Sequence, residues 1–417
     1  MITIKTQIYD DFHCIADQCP MTCCQGWSIK VDRKACEKWQ SHEDTAYLME
    51  YTIPRDEEEA PREMATDDAG TCLLLDSQGL CKLVIKHGDG YLCDTCAHFP
   101  RKRNEITELD EQDKEQDKEQ VLIAEYSLSG ACPVVMDMLA GLKGGLGLQV
   151  TGDCEQGIQF PMEYRVRNQL IAMIQGESIY QEFTFAERIM LGFSLLHECL
   201  DCDTEENVDD CLEVYGDPEN LREKALFWEK MQTPIEDVME ELCQTFWNVT
   251  EYYKELPMYR DYVYELADTV DRWYPETDTK TAAKLRMQAC DTWEEHKQRF
   301  ACFDGLAQRV MAAEIFSDCV SDDLGELTEN FQAIILEYVM TRMSVFLLGE
   351  YDEKTVETFY SLYIRIIGHN AEGMAEYWEE NLMIRFWNRN ICICSFLNKQ
   401  TPPFGIWRGL CCLEIFL

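Results

Sequence analysis

The distribution of cysteine constrains this chain more than any other feature of its sequence. Of 22 cysteines among 417 residues, ten fall within the first 132. In a secreted chain of under about 100 residues this density would indicate a disulfide framework, but this chain is long and starts without the features of a signal peptide. In a reducing compartment, clustered thiols more often ligate a metal ion or an iron–sulfur cluster. We therefore predict a cytoplasmic protein with a cysteine-ligated site near its N-terminus.

The first cysteine motif is FHCIADQCPMTCCQGWSIKVD, which places Cys14, Cys19, Cys23 and Cys24 in a C-x4-C-x3-C-C spacing. Thiolates this close repel one another unless a cation takes up their charge, which favours a metal. Adjacent cysteines serve one tetrahedral ion poorly. Either Cys23 and Cys24 bind different ions, or one of them lies outside the coordination shell.

Two further segments supply the remaining thiols of this region. CLLLDSQGLCKLVIKHGDGYLCDTCAHFPR contains Cys72, Cys81, Cys93 and Cys96, and SLSGACP contains Cys132. Three histidines near these cysteines are weaker ligand candidates, since such side chains more often lie at the surface: His13, His87 and His98. The twelve cysteines beyond residue 132 are scattered, and most are expected to be small buried apolar residues.

The charge balance limits the possible partners. The chain carries 78 acidic and 37 basic side chains, a formal charge of −41. Such a field repels phosphate backbones, which argues against nucleic acid and favours a partner reached through its lysines. No run of about 18 uncharged apolar residues occurs, so no membrane span is predicted.

The predicted fold class is mainly α, with a small irregular cysteine-rich metal-binding region at 1–135 followed by an all-α helical body at 136–380. The N-terminal region has short apolar runs between Gly and Asp turn signals, and acidic insertions near 55–70 and 108–120. Helical periodicity dominates the body: YRVRNQLIAMI places Val166, Leu170 and Ile174 on one face, and the next segment continues with Ile189, Phe193, Leu196 and Leu200. Residues 381–417 carry a charge of +3 and little periodicity, and form either an unusual C-terminal element or a sequence read in the wrong frame.

The three cysteine segments together resemble those of the flagellin lysine-N-methylases, a bacterial group that shares its cysteine cluster with zinc- or iron-chelating domain proteins. The resemblance extends weakly through helical segments such as LTENFQAIILEYVMTRMSVFLL and covers about residues 8–378. It departs at the DKEQ repeat of the second acidic insertion and in the C-terminal tail. It implies that eight cysteines are metal or cluster ligands, with Cys93 a possible ninth: Cys14, Cys19, Cys23, Cys24, Cys72, Cys81, Cys96 and Cys132.

The resemblance implies a protein-lysine N-methyltransferase that uses S-adenosylmethionine, with flagellin as its substrate and a [4Fe–4S] cluster as its metal group. All-cysteine ligation suits zinc equally well, and eight or nine thiols exceed the four ligands of one ion or one cluster. The alternative function is a non-catalytic zinc- or iron-chelating binding or chaperone module.

Methyl transfer to lysine makes its own demand on the site. The ε-amine is a nucleophile only when neutral, and its free pKa is about 10.4, so the pocket should be apolar with carboxylates at its rim. Trp27 and Arg101 lie in the cysteine motifs and are the candidate cofactor-binding residues, Arg101 for the carboxylate of S-adenosylmethionine. No catalytic base is identified from the sequence.

Overall fold

The structure, a computed structural model, describes most of the chain up to residue 368. The described ranges are 1–108, 120–152, 160–202, 204–229, 234–275 and 277–368. Most of the second acidic insertion and all of the tail at 381–417 lie outside these ranges, so neither prediction is addressed.

Two small β-sheets occupy the N-terminal part of the chain. A four-stranded sheet has the order β5-β6-β1-β7, in which β1 runs parallel to β6 and antiparallel to β7, and a three-stranded antiparallel sheet has the order β2-β4-β3. The strands are β1 (Ile2–Thr6), β2 (Lys30–Val31), β3 (Thr52–Pro54), β4 (Arg62–Met64), β5 (Arg101–Glu108), β6 (Gln120–Leu128) and β7 (Leu148–Thr151). The prediction of an irregular N-terminal region was therefore wrong, as was that of a body without strands, because β7 lies within it.

The missed strands have a physical explanation. Strand β5 reads RKRNEITE, and charged residues of this kind are depleted from strands, so its alternation is hidden. Its Ile106 is buried and pairs in register with Ile123 of β6. Strand β6 is buried over most of its length, and its apolar run is too short to distinguish a buried strand from a helix by periodicity. The acidic stretch at 55–70 likewise contains β4.

Helices make up most of the remainder, and of the residues that the structure describes 62% are helical and 11% are in strands. The helices are α1 (Arg33–Ser41), α2 (Lys82–His87), α3 (Asp94–His98), α4 (Pro133–Ala140), α5 (Met162–Gln175), α6 (Phe185–Leu200), α7 (Glu205–Val214), α8 (Pro218–Glu229), α9 (Ile235–Thr250), α10 (Pro257–Trp273), α11 (Lys280–Phe300), α12 (Asp304–Asp318), α13 (Leu324–Leu348) and α14 (Glu353–Tyr363). A π-helical turn, Ile364–Gly368, follows α14 directly. The face predicted for α5 is buried at Val166, Leu170 and Ile174, whereas Leu200 at the end of α6 is exposed.

The described residues form two hydrophobic cores. The larger joins the four-stranded sheet to the helical body, and the smaller lies within the cysteine-rich region around Trp39, Leu48 and Leu74. Among the described helices, α13 has the length and composition to cross a membrane, but 78% of its most apolar window is buried inside the protein. Burial of that kind is typical of a core helix.

A buried ion pair fastens the sheet to the body. Arg167 of α5 donates two hydrogen bonds to the carboxylate of Glu125 on β6, at 2.9 and 2.5 Å, and both side chains are 1% exposed. Burial raises the pKa of Glu125, and the guanidinium opposes that rise. Removing one partner would leave a buried charge without its counterion, so the pair holds the sheet and α5 in one arrangement.

Candidate metal centre

The first cysteine motif forms a loop between β1 and β2. Ahead of β2, it contains a 3-10 turn at Ala16–Gln18, and its thiols range from exposed Cys14 to partly buried Cys19. The Cys14 sulfur accepts a hydrogen bond from the Ala16 amide at 3.4 Å, and the Cys19 thiol donates to the Met21 carbonyl at 3.3 Å. The loop is thus organised by contacts of its own sulfur atoms.

The end of this loop is fixed to helix α10. Gly26 has a φ of +86°, and Tyr259 of α10 donates a hydrogen bond from its Oη to the Gly26 carbonyl at 2.9 Å. A Cβ atom at Gly26 would lie 2.5 Å from the Met258 sulfur and 2.6 Å from the Tyr259 Oη. Only glycine satisfies both the backbone conformation and this close approach.

One set of thiols gathers around the smaller core. We call it the second thiol group: Cys24, Cys72, Cys81, Cys93 and Cys96. The Cys72 amide donates to the Cys24 carbonyl at 2.8 Å, which brings the first motif against the second. All five cysteines belong to the smaller core or pack against it. The charges of Cys72 and Cys81 act against the lowered pKa of Cys24, and those of Cys24 and Cys72 add to the raised pKa of Cys96. Cysteines from three separated stretches of the sequence therefore lie around the same core.

The other thiols lie towards the helical body. We call them the first thiol group: Cys14, Cys19, Cys23 and Cys132. Cys19 interacts electrostatically with Cys14 and Cys23, and Cys132, the residue before α4, interacts with Cys19. Cys23 is hydrogen-bonded to Cys24, so the two groups meet at this adjacent pair. That Cys23 and Cys24 bind different ions, or that one of them lies outside the coordination shell, stays a prediction.

Arg365, in the π-helical turn, joins the segments that carry the first thiol group. It is 3% exposed. Its Nε donates to the Ala131 carbonyl at 2.9 Å, and its two Nη atoms donate to the carbonyls of Thr22 and Met21 at 2.8 and 2.7 Å. Its guanidinium also interacts electrostatically with three thiols, those of Cys19, Cys23 and Cys132. A buried cation beside a thiol group stabilises the thiolate form.

The segment before Cys132 is held from two more helices. The Gly130 amide donates to the buried Glu314 carboxyl of α12 at 3.0 Å, and Ser361 of α14 donates from its Oγ to the Gly130 carbonyl at 3.0 Å. A Cβ at Gly130 would lie 2.7 Å from Ile364 and 2.9 Å from Glu314. Burial, together with the charge of Asp318, raises the pKa of Glu314 to about 8.

The thiol pKa values are split within contacting pairs. The hydrogen bond between Cys23 and Cys24 raises the pKa of Cys23, which burial raises further, and lowers that of Cys24. A second pair follows the same pattern, with the pKa raised at Cys96 and lowered at Cys93. Burial raises the pKa of Cys132 to about 11. Each pair therefore holds one thiol that keeps its proton and one that loses it more easily.

The cysteine side chains are suitable donors for a thiolate-ligated ion or cluster, although their sulfur atoms do not form a complete coordination shell. Among the described residues, no three or more His, Cys, Asp or Glu side chains are placed to hold a metal ion together. Binding of a metal by these thiols would release the protons that they hold.

Other residues named from the sequence have contacts within the protein. Trp27 donates from its Nε1 to the Cys23 carbonyl at 2.7 Å, and its ring lies 5.3 Å from that of Phe99 with the two planes tilted by 51°. Arg101 donates to the Phe12 carbonyl at 3.3 Å and lies over the rings of Phe12 and Tyr9. The histidines each have a hydrogen bond, with Asp11 for His13, Asp94 for His98 and Tyr47 for His87. The role of Trp27 and Arg101 in binding S-adenosylmethionine stays a prediction.

The sequence reasoning missed Arg365 and Glu314. The signal available for Arg365 was a single basic residue inside the apolar helical run SLYIRIIG, where a charge on a buried face must find partners.

No protein-family model, no curated protein and no solved structure matches this chain.

Proposed function

We propose that the protein binds an iron–sulfur cluster through its cysteines and transfers methyl groups from S-adenosylmethionine to the ε-amines of flagellin lysines. The observation that carries the proposal is the assembly of nine cysteines from separated segments into two thiol groups that meet at Cys23 and Cys24. The resemblance of the three cysteine segments to flagellin lysine-N-methylases supplies the reaction. The charge of −41 supports a partner that presents lysines.

The two thiol groups are suited to different tasks. The second thiol group lies in the smaller core beside a three-stranded sheet, a setting typical of metal sites that stabilise small folded units. The first thiol group lies against α4, α14 and the buried guanidinium of Arg365. It would hold the [4Fe–4S] cluster, which when bound supplies an electron-transfer or Lewis-acid centre.

The methyl transfer itself forms a nitrogen–carbon bond as the sulfonium carbon–sulfur bond breaks, with the bonding electron pair passing to sulfur. The lysine ammonium must lose a proton before it attacks. An apolar surrounding favours the neutral amine, whereas nearby carboxylates favour the ammonium. The chain therefore needs carboxylates where the lysine arrives and apolar side chains where it reacts.

A non-catalytic chelating module is the second candidate. It is favoured by the placement of Cys72 and Cys93 inside the smaller core, where a zinc ion would act only on stability. Under this alternative both thiol groups have structural or storage roles.

The test begins with the metal and sulfide content of anaerobically purified protein. About four iron and four sulfide per chain, with labelled methyl groups incorporated into flagellin, are expected under the proposal. Cys19→Ser should abolish methyl transfer, whereas Cys302→Ser, at an exposed position outside both groups, serves as the matched control. Zinc without iron and no methyl incorporation would instead support the chelating module.

A further inference from the structure

A small cleft of about 60 Å³ opens between the segments that follow Cys19 and Cys132. Its walls come from three directions: Pro20 and Met21 follow Cys19, Pro133 and Met136 follow Cys132, and Tyr262 belongs to α10. Residues of α14 complete it: Lys354, Glu357, Thr358 and Ser361. The cleft is thus built on the two segments that Arg365 holds together.

One side of the cleft already holds an ammonium group. The Nζ of Lys354 lies 2.5 Å from an Asp137 carboxylate oxygen and 3.1 Å from one of Glu357. Lys354 and Asp137 are both more than half exposed, whereas the Glu357 side chain is 9% exposed. The carboxylates therefore run from the open rim towards the interior, and the chain's own lysine occupies them.

We propose that this cleft binds the side chain of a substrate lysine, with Lys354 as the resident group that the incoming ammonium displaces. This inference rests on the proposed function and names the place where its substrate binds. Asp137 and Glu357 receive the ammonium, and Met21, Met136 and Tyr262 contact the methylene stem. Primary ammonium groups on aliphatic stems are recognised in this way, by carboxylates at the rim and apolar walls below.

The cleft also meets two opposing requirements of the reaction, attraction of a charged lysine and loss of its proton. Carboxylates at the rim attract a lysine but hold its proton. The apolar side chains of Met21, Pro133 and Met136, which also line the cleft, favour the neutral amine. The bound lysine therefore passes from a charged entrance to an apolar interior within one cleft.

The inference is tested by binding, measured by calorimetry on the full chain. The probe is a flagellin-derived peptide with a single lysine, compared with the same peptide carrying norleucine. Glu357→Gln should weaken lysine-peptide binding about tenfold, since it removes the most buried charge of the entrance. Lys354→Met should strengthen it several-fold, because the carboxylates are no longer occupied. Glu350→Gln, at an exposed position outside the cleft, should leave binding unchanged.

A second variant closes the cleft without altering its charge. Thr358→Trp is placed at a partly exposed lining position and should abolish discrimination between the lysine and norleucine peptides. Circular dichroism and denaturant titration establish that each variant is folded.

The outcomes separate this inference from the proposed function. Equal binding of both peptides, or unchanged binding by Glu357→Gln, would overturn the inference. So would displacement of the peptide by S-adenosylmethionine, whose own ammonium would then be the occupant. Methyl transfer at full kcat/KM in Thr358→Trp would overturn it and leave the proposed function standing. Specific lysine binding without methyl transfer would support the cleft and refute the methyltransferase.

Discussion

Replacing Arg365 with methionine should disconnect the cysteine-bearing segments of the first thiol group. The native guanidinium donates to three carbonyls at 2.7 to 2.9 Å from a buried position. A hydrogen bond with one charged partner contributes about 1.5–3 kcal/mol, and the carbonyls left behind lose their donor. The variant also removes a buried cation, and the free energy that burying this cation costs is regained. This gain offsets part of the loss. The net decrease in the free energy of unfolding is expected to be about 3–5 kcal/mol.

The assay pairs denaturant unfolding with iron content. Arg365→Met should lower both, because the segments at Met21 and Ala131 no longer share a donor. The matched control is Arg309→Met, which removes a guanidinium that also donates to three carbonyls, those of Leu139, Ala140 and Gly144, at the far end of α4. The control should lose stability and keep its iron. Arg365→Lys preserves the charge and should recover part of the loss. An Arg365→Met protein with native iron content and stability within about 1 kcal/mol of wild type would refute the reasoning.

Three further predictions concern other parts of the fold. Gly26→Ala should lower the free energy of unfolding by about 2–3 kcal/mol, because the new Cβ would meet Met258 and Tyr259. The control Gly88→Ala, at a φ of +84° with no atom within 4 Å of the new Cβ, should cost only the backbone strain of about 1–2 kcal/mol. Equal losses in the two variants would contradict the steric argument. Burial lowers the pKa of His296 to about 3, so below pH 6.5 this side chain binds a proton in the unfolded chain but not in the folded one. The free energy of unfolding should therefore fall by about 2 kcal/mol from pH 7.5 to 5. Denaturant titrations at both pH values should show a smaller fall for His296→Gln. The buried thiols of Cys199 on α6 and Cys211 on α7 lie 3.8 Å apart. Diamide should therefore oxidise them to an intramolecular disulfide, which peptide mapping detects. If no disulfide forms in the absence of denaturant, the two helices cannot approach to bonding distance.

The sequence was informative where one local period dominated. The predicted face of α5 is buried at Val166, Leu170 and Ile174, because a 3.6-residue period needs no information from distant parts of the chain. Leu200 continued the pattern of α6 and is nevertheless exposed, since it is the last residue of that helix and lies beyond the packed surface.

Strands and long-range contacts were less predictable. The Lys, Arg and Glu residues of β5 hide its alternation, and the pairing of β1 with β6 joins residues about 120 positions apart. Arg365 is separated from Met21 by 344 positions, so no spacing rule connects them. The spacing of the cysteine motifs does not give their division into two groups, because that division depends on the folded backbone around Cys72 and Cys132.

The place of β1 in the four-stranded sheet has a consequence for the order in which the protein can form. Residues Ile2–Thr6 are synthesised before both of their strand partners, because β6 and β7 follow more than a hundred residues later in the chain. Until Thr151 has emerged, β1 has unpaired backbone groups on at least one side. The cysteine-rich region therefore cannot be cut out at residue 135 as an intact unit, because such a fragment would lose β7 and expose an open sheet edge to association with other chains.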